Sequence, residues 1–138
     1  MKGGHSGINI NSGRANAIIL LARTLDMLLE DTKMQINHIK GGTAHNAIPR
    51  EAEAILVCPA ASSKIFSQRI PQINDIFRVE YKMTDPNLFI SFETESSMQK
   101  QVGLDEKDSR RVLDLILGLP YGVAAMASEI KELVETSN

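Results

Sequence analysis

The spacing of apolar positions along the chain predicts three helices. Ile, Leu and Phe recur at intervals of three and four residues over about 13–31 and about 61–82, with polar and charged residues between them. A similar pattern returns over about 105–117. Asn11 or Ser12 is expected to cap the first helix, because either side chain accepts hydrogen bonds from free backbone N–H groups.

Prolines and a glycine mark where the predicted helices bend or end. Pro71 lies inside the second predicted helix and has no backbone N–H, so a kink or a break is expected there. Gly118 and Pro120 follow the third predicted helix, an order that is typical of a helix C-terminus.

Three short segments have the pattern of strands, and two others read as loops. Met34–Lys40 is rich in Ile, and Glu51–Pro59 and Leu88–Glu93 alternate between apolar and polar positions, which predicts strands. Gly3–Gly7 contains too many glycines for a stable element and is expected to be a loop. Gly41–Arg50 is longer than a tight hairpin and carries polar side chains, which makes it a candidate site.

The predicted order is helix, strand, strand, helix, strand, helix. This order is typical of a split β-α-β arrangement, in which a further strand precedes the first helix. We therefore predict one domain over residues 1–138 with an α+β fold, a ferredoxin-like two-layer sandwich. Its antiparallel sheet has helices on one face, and its first strand is missing or vestigial. The sheet edge left open in this way is expected to be covered or to pair with another chain.

Composition and charge exclude several classes of function. The 138 residues (15.2 kDa) include 43% hydrophobic and 23% charged residues, as in a single soluble globular domain. A formal charge of -2 gives no strong field for nucleic acid or anionic lipid, so we expect neither as a partner. The absence of a long apolar run or a signal-peptide pattern predicts a cytoplasmic location, and the single Cys58 fits a reducing compartment.

Histidine and cysteine are too scattered to form a metal motif. The soft ligands are His5, His38, His45 and Cys58, and they include neither a histidine pair at helical spacing nor a cysteine pair. We therefore expect no complete metal site in this chain. His38 is interpreted as a strand residue at or near the surface, and Cys58 as a small apolar residue on the core face.

Three residues are candidates for binding or catalysis. His5 lies among small residues, so its imidazole either reaches a ligand or is simply solvated. The side-chain amide of Asn46 provides one hydrogen-bond acceptor and two donors. The planar guanidinium group of Arg50 is suited to bidentate binding of the carboxylate of a peptide-like ligand. In the alternative interpretation, Asn46 satisfies loop backbone groups, and Arg50 forms a surface ion pair with Glu51 or Glu53.

Four motifs, in order, resemble those of a known peptidase family. They are Lys2–Gly7, Gly13–Ala17, Gly41–Gly42 followed by Asn46–Ala52, and Leu133–Asn138. Together they span nearly the whole chain and are similar to the aminoacyl-histidine dipeptidases (Xaa-His dipeptidases, peptidase D) of peptidase family M20. In that family the motifs belong to a lid, or dimerisation, domain that is inserted into a catalytic zinc domain. The chain thus resembles the insert alone.

The resemblance implies an activity, a cofactor and residue roles. The parent enzyme would be a cytosolic homodimer that hydrolyses a dipeptide with zinc-activated water, and the zinc ligands would lie in the other domain. His5 matches a histidine that reaches the partner subunit's site and stabilises the oxyanion. Asn46 matches an asparagine that binds the backbone or carboxylate of the substrate, and Arg50 follows in the same motif. The chain by itself is expected to be inactive.

One resembling segment departs from the family pattern. Gly122–Ser128 is similar to a substrate-facing stretch near the end of the lid, but Ala127 stands where the family has serine. Lys131 and Glu132 stand where it has proline and glycine. These differences weaken the inference that this segment binds a carboxylate.

Two other functions are compatible with the same residues. The chain could be a dimeric protein-interaction module that acts without catalysis, or a regulatory domain of ferredoxin-like shape that binds a small molecule. The oligomeric state and titration with dipeptides and amino acids would separate these hypotheses.

Overall fold

The computed structural model describes residues 1–2, 4–5, 12–95, 101–126 and 134–137. Its helices are α1 (Ala17–Leu29), α2 (Ser62–Glu80) and α3 (Glu106–Gly118). Its strands are β1 (Gly4–His5), β2 (Gln35–Gly41), β3 (Ala47–Ile48), β4 (Ala52–Val57), β5 (Val123–Met126) and β6 (Val134–Ser137). The three predicted helices and the first two predicted strands are therefore confirmed, with small changes at their ends.

The described strands form three antiparallel pairs. The longest pair joins β2 to β4, with Gln35 opposite Val57 and Gly41 opposite Ala52. The short β1 pairs with β3, and β5 pairs with β6. Three helices combined with antiparallel strand pairs agree with the predicted α+β class.

The core lies where the helices meet the β2–β4 pair. The helix α1 contacts α3, α2 and both of these strands. The apolar residues buried there come from every helix, and they include Leu20, Leu25, Leu28, Met34, Ile36, Phe66, Ile70, Ile73, Phe77, Leu88 and Leu113. The helical period read from the sequence corresponds to this core-facing side of each helix.

The first helix begins later than predicted. Asn16, and not Asn11 or Ser12, caps α1: its side-chain oxygen accepts hydrogen bonds from Ile18 N at 2.9 Å and Ile19 N at 3.3 Å. The prediction of the cap was wrong because several residues of the cap type precede the apolar run, and periodicity alone does not choose among them.

The second helix continues through its proline. Pro71 lies within α2, so the predicted break does not occur. Proline removes one hydrogen bond, to the carbonyl of Ser67 four residues earlier. Both Ser67 and Pro71 are exposed, so the freed carbonyl lies on the solvent side of the helix. The proline is tolerated at this position because a backbone carbonyl on the exposed side of a helix is open to solvent.

The third predicted strand, Leu88–Glu93, is wrong. Its alternation is real, since Leu88 is buried and Phe89 is exposed, but the segment has no strand conformation. A β-strand needs backbone hydrogen bonds to a neighbouring strand. Among the described residues, the backbone N–H and C=O of Ile90 are bonded instead to a side chain of α2. Asn74 donates to Ile90 O and accepts from Ile90 N, both at 2.7 Å.

The chain's opening differs from its prediction as well. Gly4 and His5 form β1, so the expected loop is wrong for these two residues, while the rest of Gly3–Gly7 lies outside the described residues. The backbone partner is β3, with Gly4 opposite Ile48 and His5 opposite Ala47. The β5–β6 pair lies in a stretch whose sequence shows no clear period.

Candidate functional site

The candidate loop is fixed at both ends by the fold. Residues 42–46 connect β2 to β3, and Gly42 N donates to Glu51 O at 3.4 Å. On the other side, Ala17 N at the start of α1 donates to Pro49 O at 3.0 Å. A loop that carries polar side chains is therefore held between a helix N-terminus and a strand pair.

Two glycines are required where the loop leaves β2. A Cβ atom on Gly41 would lie 2.6 Å from Ile18 Cγ1 and 2.9 Å from the Cβ of Ala52, closer than real Cβ contacts. Gly42 has φ of 76°, in the left-handed region that favours glycine. The glycine pair thus lets β2 approach α1 closely and then turns the chain into the loop.

We expect Gly41→Ala to destabilise the fold. The added methyl group meets the Cγ1 of Ile18 and the Cβ of Ala52, neither of which is the end of a flexible side chain. Overpacking of this kind costs about 1–3 kcal/mol in free energy of unfolding. Urea unfolding followed by circular dichroism measures the loss.

The control for this change is Gly118→Ala, because a Cβ on Gly118 has no heavy atom within 4 Å of it. Gly118 ends α3, where alanine is favoured over glycine, so its substitution should leave stability unchanged or raise it by about 0.5 kcal/mol. Equal urea midpoints of unfolding for Gly41→Ala and Gly118→Ala would show that Gly41 is not tightly packed.

The fold brings the three predicted site residues to one region of backbone. His5 lies opposite Ala47 in the β1–β3 pair, and Asn46 immediately precedes Ala47. Arg50 follows β3 by two residues. The side chains of Asn46 and Arg50 are exposed. In the described part of the chain Glu53 pairs with Lys40, at 3.4 Å, and not with Arg50.

An open cavity of about 500 Å³ lies beside this loop. It is lined by residues 41–45 and 47–49, together with Ile18 of α1 and Tyr121. Its size is within the range of small-molecule sites, and most of its described lining is apolar. Asn46 lies between two lining residues of this loop, and Arg50 directly follows the last of them.

Tyr121 is the lining residue that sequence reasoning missed. It lies between Pro120 and Gly122, just after α3, and Gly122 has φ of 107°. Burial raises the pKa of the Tyr121 hydroxyl, and a hydrogen bond with the Asn16 side chain opposes that rise. A lone aromatic residue between a proline and a glycine was the available signal.

The other sequence-predicted residues have ordinary surroundings. His38 is exposed on β2, as predicted. Cys58 is half-buried and packs against the core, and burial raises the pKa of its thiol despite a hydrogen bond with Ser62. Within the described ranges there is no group of three or more His, Cys, Asp or Glu side chains that could hold a metal ion. Residues 127–133, where the motif departures lie, are outside the described residues.

Comparisons with known proteins agree on one family. Residues 1–85 match the family described as peptidase dimerisation domain, M20_dimer. The chain is 31% identical over 137 residues to the cytosol non-specific dipeptidase of Escherichia coli (strain K12). It also superposes on the crystal structure of aminoacylhistidine dipeptidase from Vibrio alginolyticus with a TM-score of 0.86 and 30% identity.

These matches cover the chain but only part of each relative. Each covers 99% of this chain, against 28% of the E. coli protein and 27% of the V. alginolyticus chain. They fit the hypothesis of a peptidase dimerisation domain and not that of a stand-alone interaction module. In the described part of the chain, no helix is both long and apolar enough to cross a membrane.

Proposed function

Because this chain belongs to the dimerisation-domain family of M20 peptidases, we propose that it serves as the lid and dimerisation domain of a zinc-dependent Xaa-His dipeptidase. The observation that supports this most strongly is the agreement of the whole fold with part of an aminoacylhistidine dipeptidase, at a TM-score of 0.86. The parent enzyme works in the cytoplasm as a homodimer. The name of the E. coli relative, a cytosol dipeptidase, and the single half-buried Cys58 support that location.

The site residues contact the substrate in this role. His5 donates a hydrogen bond to the oxyanion in the partner subunit's site, and its backbone position opposite Ala47 places it beside the candidate loop. Asn46 binds the backbone or carboxylate of the dipeptide. Arg50, exposed at the other end of β3, offers a guanidinium group to the same ligand.

Zinc is not assigned to this chain. The described residues do not provide a cluster of ligands for it, so we derive no catalytic step from a metal held here. In the proposed enzyme the metal belongs to the catalytic domain, where it supplies activated water for hydrolysis of the peptide bond. The chain alone therefore does not hydrolyse dipeptides.

Sedimentation equilibrium of the 138-residue chain tests the proposal. We expect a mass of about twice 15.2 kDa that falls toward the monomer value on dilution, because a dimer dissociates by mass action. With zinc chloride added, the same sample should leave glycyl-L-histidine intact.

Two results would contradict the proposed role. A chain that stays monomeric at every concentration would contradict dimerisation. Hydrolysis in proportion to chain concentration, with a contaminating peptidase excluded, would contradict the assignment of catalysis to another domain.

A further inference from the structure

The strand β2 has a strand neighbour on one side, and its other side is a sheet edge. It pairs with β4, and the described residues add no strand beyond it. In an antiparallel strand the N–H and C=O groups point to alternate sides, so an edge presents a row of such groups. A second chain can pair with this row, and natural proteins usually prevent that pairing.

The residues just before α3, 101–104, cover this edge where β2 begins, and we call them the strap. Leu104 N donates to Ile36 O at 2.8 Å, and Ile36 N donates to the Oγ of Ser109 at 2.9 Å. Both backbone groups of Ile36 are therefore bonded outside the β2–β4 pair. The same Oγ of Ser109 donates to Leu104 O at 3.2 Å, so one buried hydroxyl connects β2, the strap and α3.

An irregularity in β2 adds a side-chain contact with the strap. The register of β2 against β4 shifts between Ile36 and His38, so Asn37 is an extra residue in the strand. The side-chain amide of Asn37 donates a hydrogen bond to Val102 O. The strap is thus bonded to two consecutive residues of β2, at the point where a bulge already disturbs the edge.

The rest of the edge is short and carries a charge. Beyond the irregularity β2 continues only over His38–Gly41, and Lys40 in this stretch is exposed. Short edge strands and exposed lysines both oppose pairing between chains. The strap therefore covers the part of β2 that lacks this protection.

Gly103 allows the strap to lie directly against β2. A Cβ atom on Gly103 would lie 2.8 Å from the Cβ of Gln35, closer than real Cβ contacts, and 3.2 Å from the backbone C of Gln35. The φ angle of Gly103 is outside the left-handed region. A larger side chain is therefore opposed by the contact with Gln35 and not by backbone strain.

We propose that the strap guards the edge of β2 against pairing with a second copy of this chain. Two copies of one edge strand can pair around a two-fold axis, because each presents the same groups to the other. The strap occupies the groups of Ile36 and the space that the second strand would need. If the chain dimerises as in the proposed function, on which this consequence rests, the dimer contact lies on a surface other than this edge.

Gly103→Val tests the guard, because it displaces the strap without changing β2. The added side chain meets Gln35, so the strap should leave the edge, and two copies should pair through β2. Sedimentation equilibrium of the 138-residue variant should give a mean mass about twice that of the wild-type chain at the same concentration. Gly118→Val adds the same side chain where a Cβ has no heavy atom within 4 Å, and should keep the wild-type mass.

A lysine on β2 identifies the edge as the new contact. Asn37→Lys combined with Gly103→Val should return the mass to the wild-type value, because lysine on an edge strand opposes pairing. Gln68→Lys combined with Gly103→Val adds the same charge on the exposed side of α2, and should leave the mass raised. If circular dichroism shows that Gly103→Val does not fold, Gly103→Ala makes the same contact with a smaller side chain and provides the measurement.

The outcomes separate the guard from the proposed dimer. A folded Gly103 variant with the wild-type mass at every concentration, or a raised mass that Asn37→Lys does not lower, would overturn the guard. Asn37→Lys alone should keep the wild-type mass, and conversion of a wild-type dimer to a monomer would place the dimer contact at β2 and overturn the guard as well. A monomeric wild-type chain whose mass doubles on Gly103→Val would support the guard and contradict the proposed dimer.

Discussion

Phe77→Ala is expected to lower the free energy of unfolding by about 3–5 kcal/mol, the largest effect of any substitution considered. Phe77 has 0% of its surface exposed and lies in the core on the inner face of α2. Its truncation removes apolar contacts and leaves a cavity that the surrounding helices fill only in part. For a domain of this size, such a loss is a large share of the total stability.

A surface contact adds to the expected effect. The guanidinium carbon of Arg23 lies 4.6 Å from the centroid of the Phe77 ring, within the range of a cation–π interaction. Arg23 is held there by two hydrogen bonds of 2.8 Å to Glu80, which also lower the pKa of that carboxyl group. Removal of the ring therefore takes away the surface on which Arg23 packs while it forms its ion pair with Glu80 between α1 and α2.

Urea unfolding measures this prediction against a matched control. Phe89→Ala makes the same change at a side chain that is 71% exposed, so it should shift stability by less than about 0.5 kcal/mol. If Phe77→Ala does not fold, Phe77→Leu provides the measurement, with an expected cost of about 1–2 kcal/mol. Similar stability of the Phe77 and Phe89 variants would contradict the burial of Phe77 in the core.

The helices could be predicted from sequence because each of them buries one face. The period of 3.6 residues follows from that geometry, and it located α1, α2 and α3 to within a few residues. The tolerance of Pro71 could not be predicted, because it depends on which face of α2 meets solvent. Periodicity places the proline on a helix, whereas burial decides whether the lost hydrogen bond matters.

The error at Leu88–Glu93 has a different physical cause. Alternation reports which side chains face the core, and the structure confirms that Leu88 is buried while Phe89 is exposed. It carries no information about a hydrogen-bonded neighbour. Asn74 supplies both hydrogen bonds to Ile90 from a helix 16 residues away in sequence, and local pattern does not reveal such a contact.

The candidate site was predictable in part. The glycines and polar side chains of Gly41–Arg50 identified this segment as a candidate binding loop, because a simple connection between strands does not require them. The family resemblance then suggested roles for Asn46 and Arg50. The pairing of His5 with Ala47 and the position of Tyr121 depend on the tertiary fold. Neither feature produces a periodic pattern in the sequence. The β1–β3 pair consists of two strands of two residues each, and Tyr121 is a single side chain.

Asp85→Ala is expected to lower the free energy of unfolding by about 2–4 kcal/mol. Asp85 has 1% of its surface exposed, and its carboxylate accepts hydrogen bonds from Lys2 N at 2.6 Å and Ala15 N at 2.9 Å. Hydrogen bonds to charged groups contribute more than neutral ones, and truncation leaves the N–H of Ala15 buried without its partner. The same carboxylate joins the first residues of the chain to the segment before α1.

The loss at Asp85 should be local as well as global. In Asp85→Ala, the amide protons of Lys2 and Ala15 should exchange with solvent much faster, relative to global unfolding, than in the wild-type chain.

Asp85→Asn keeps one acceptor oxygen and should fall between the wild-type chain and Asp85→Ala in stability. Asp75→Ala is the control, because the carboxylate of Asp75 is exposed on α2 and its 3.7 Å ion pair with Arg78 contributes little. If Asp85→Ala were as stable as Asp75→Ala and kept slow exchange at Ala15, the buried carboxylate would not be what holds the N-terminal segment to the core.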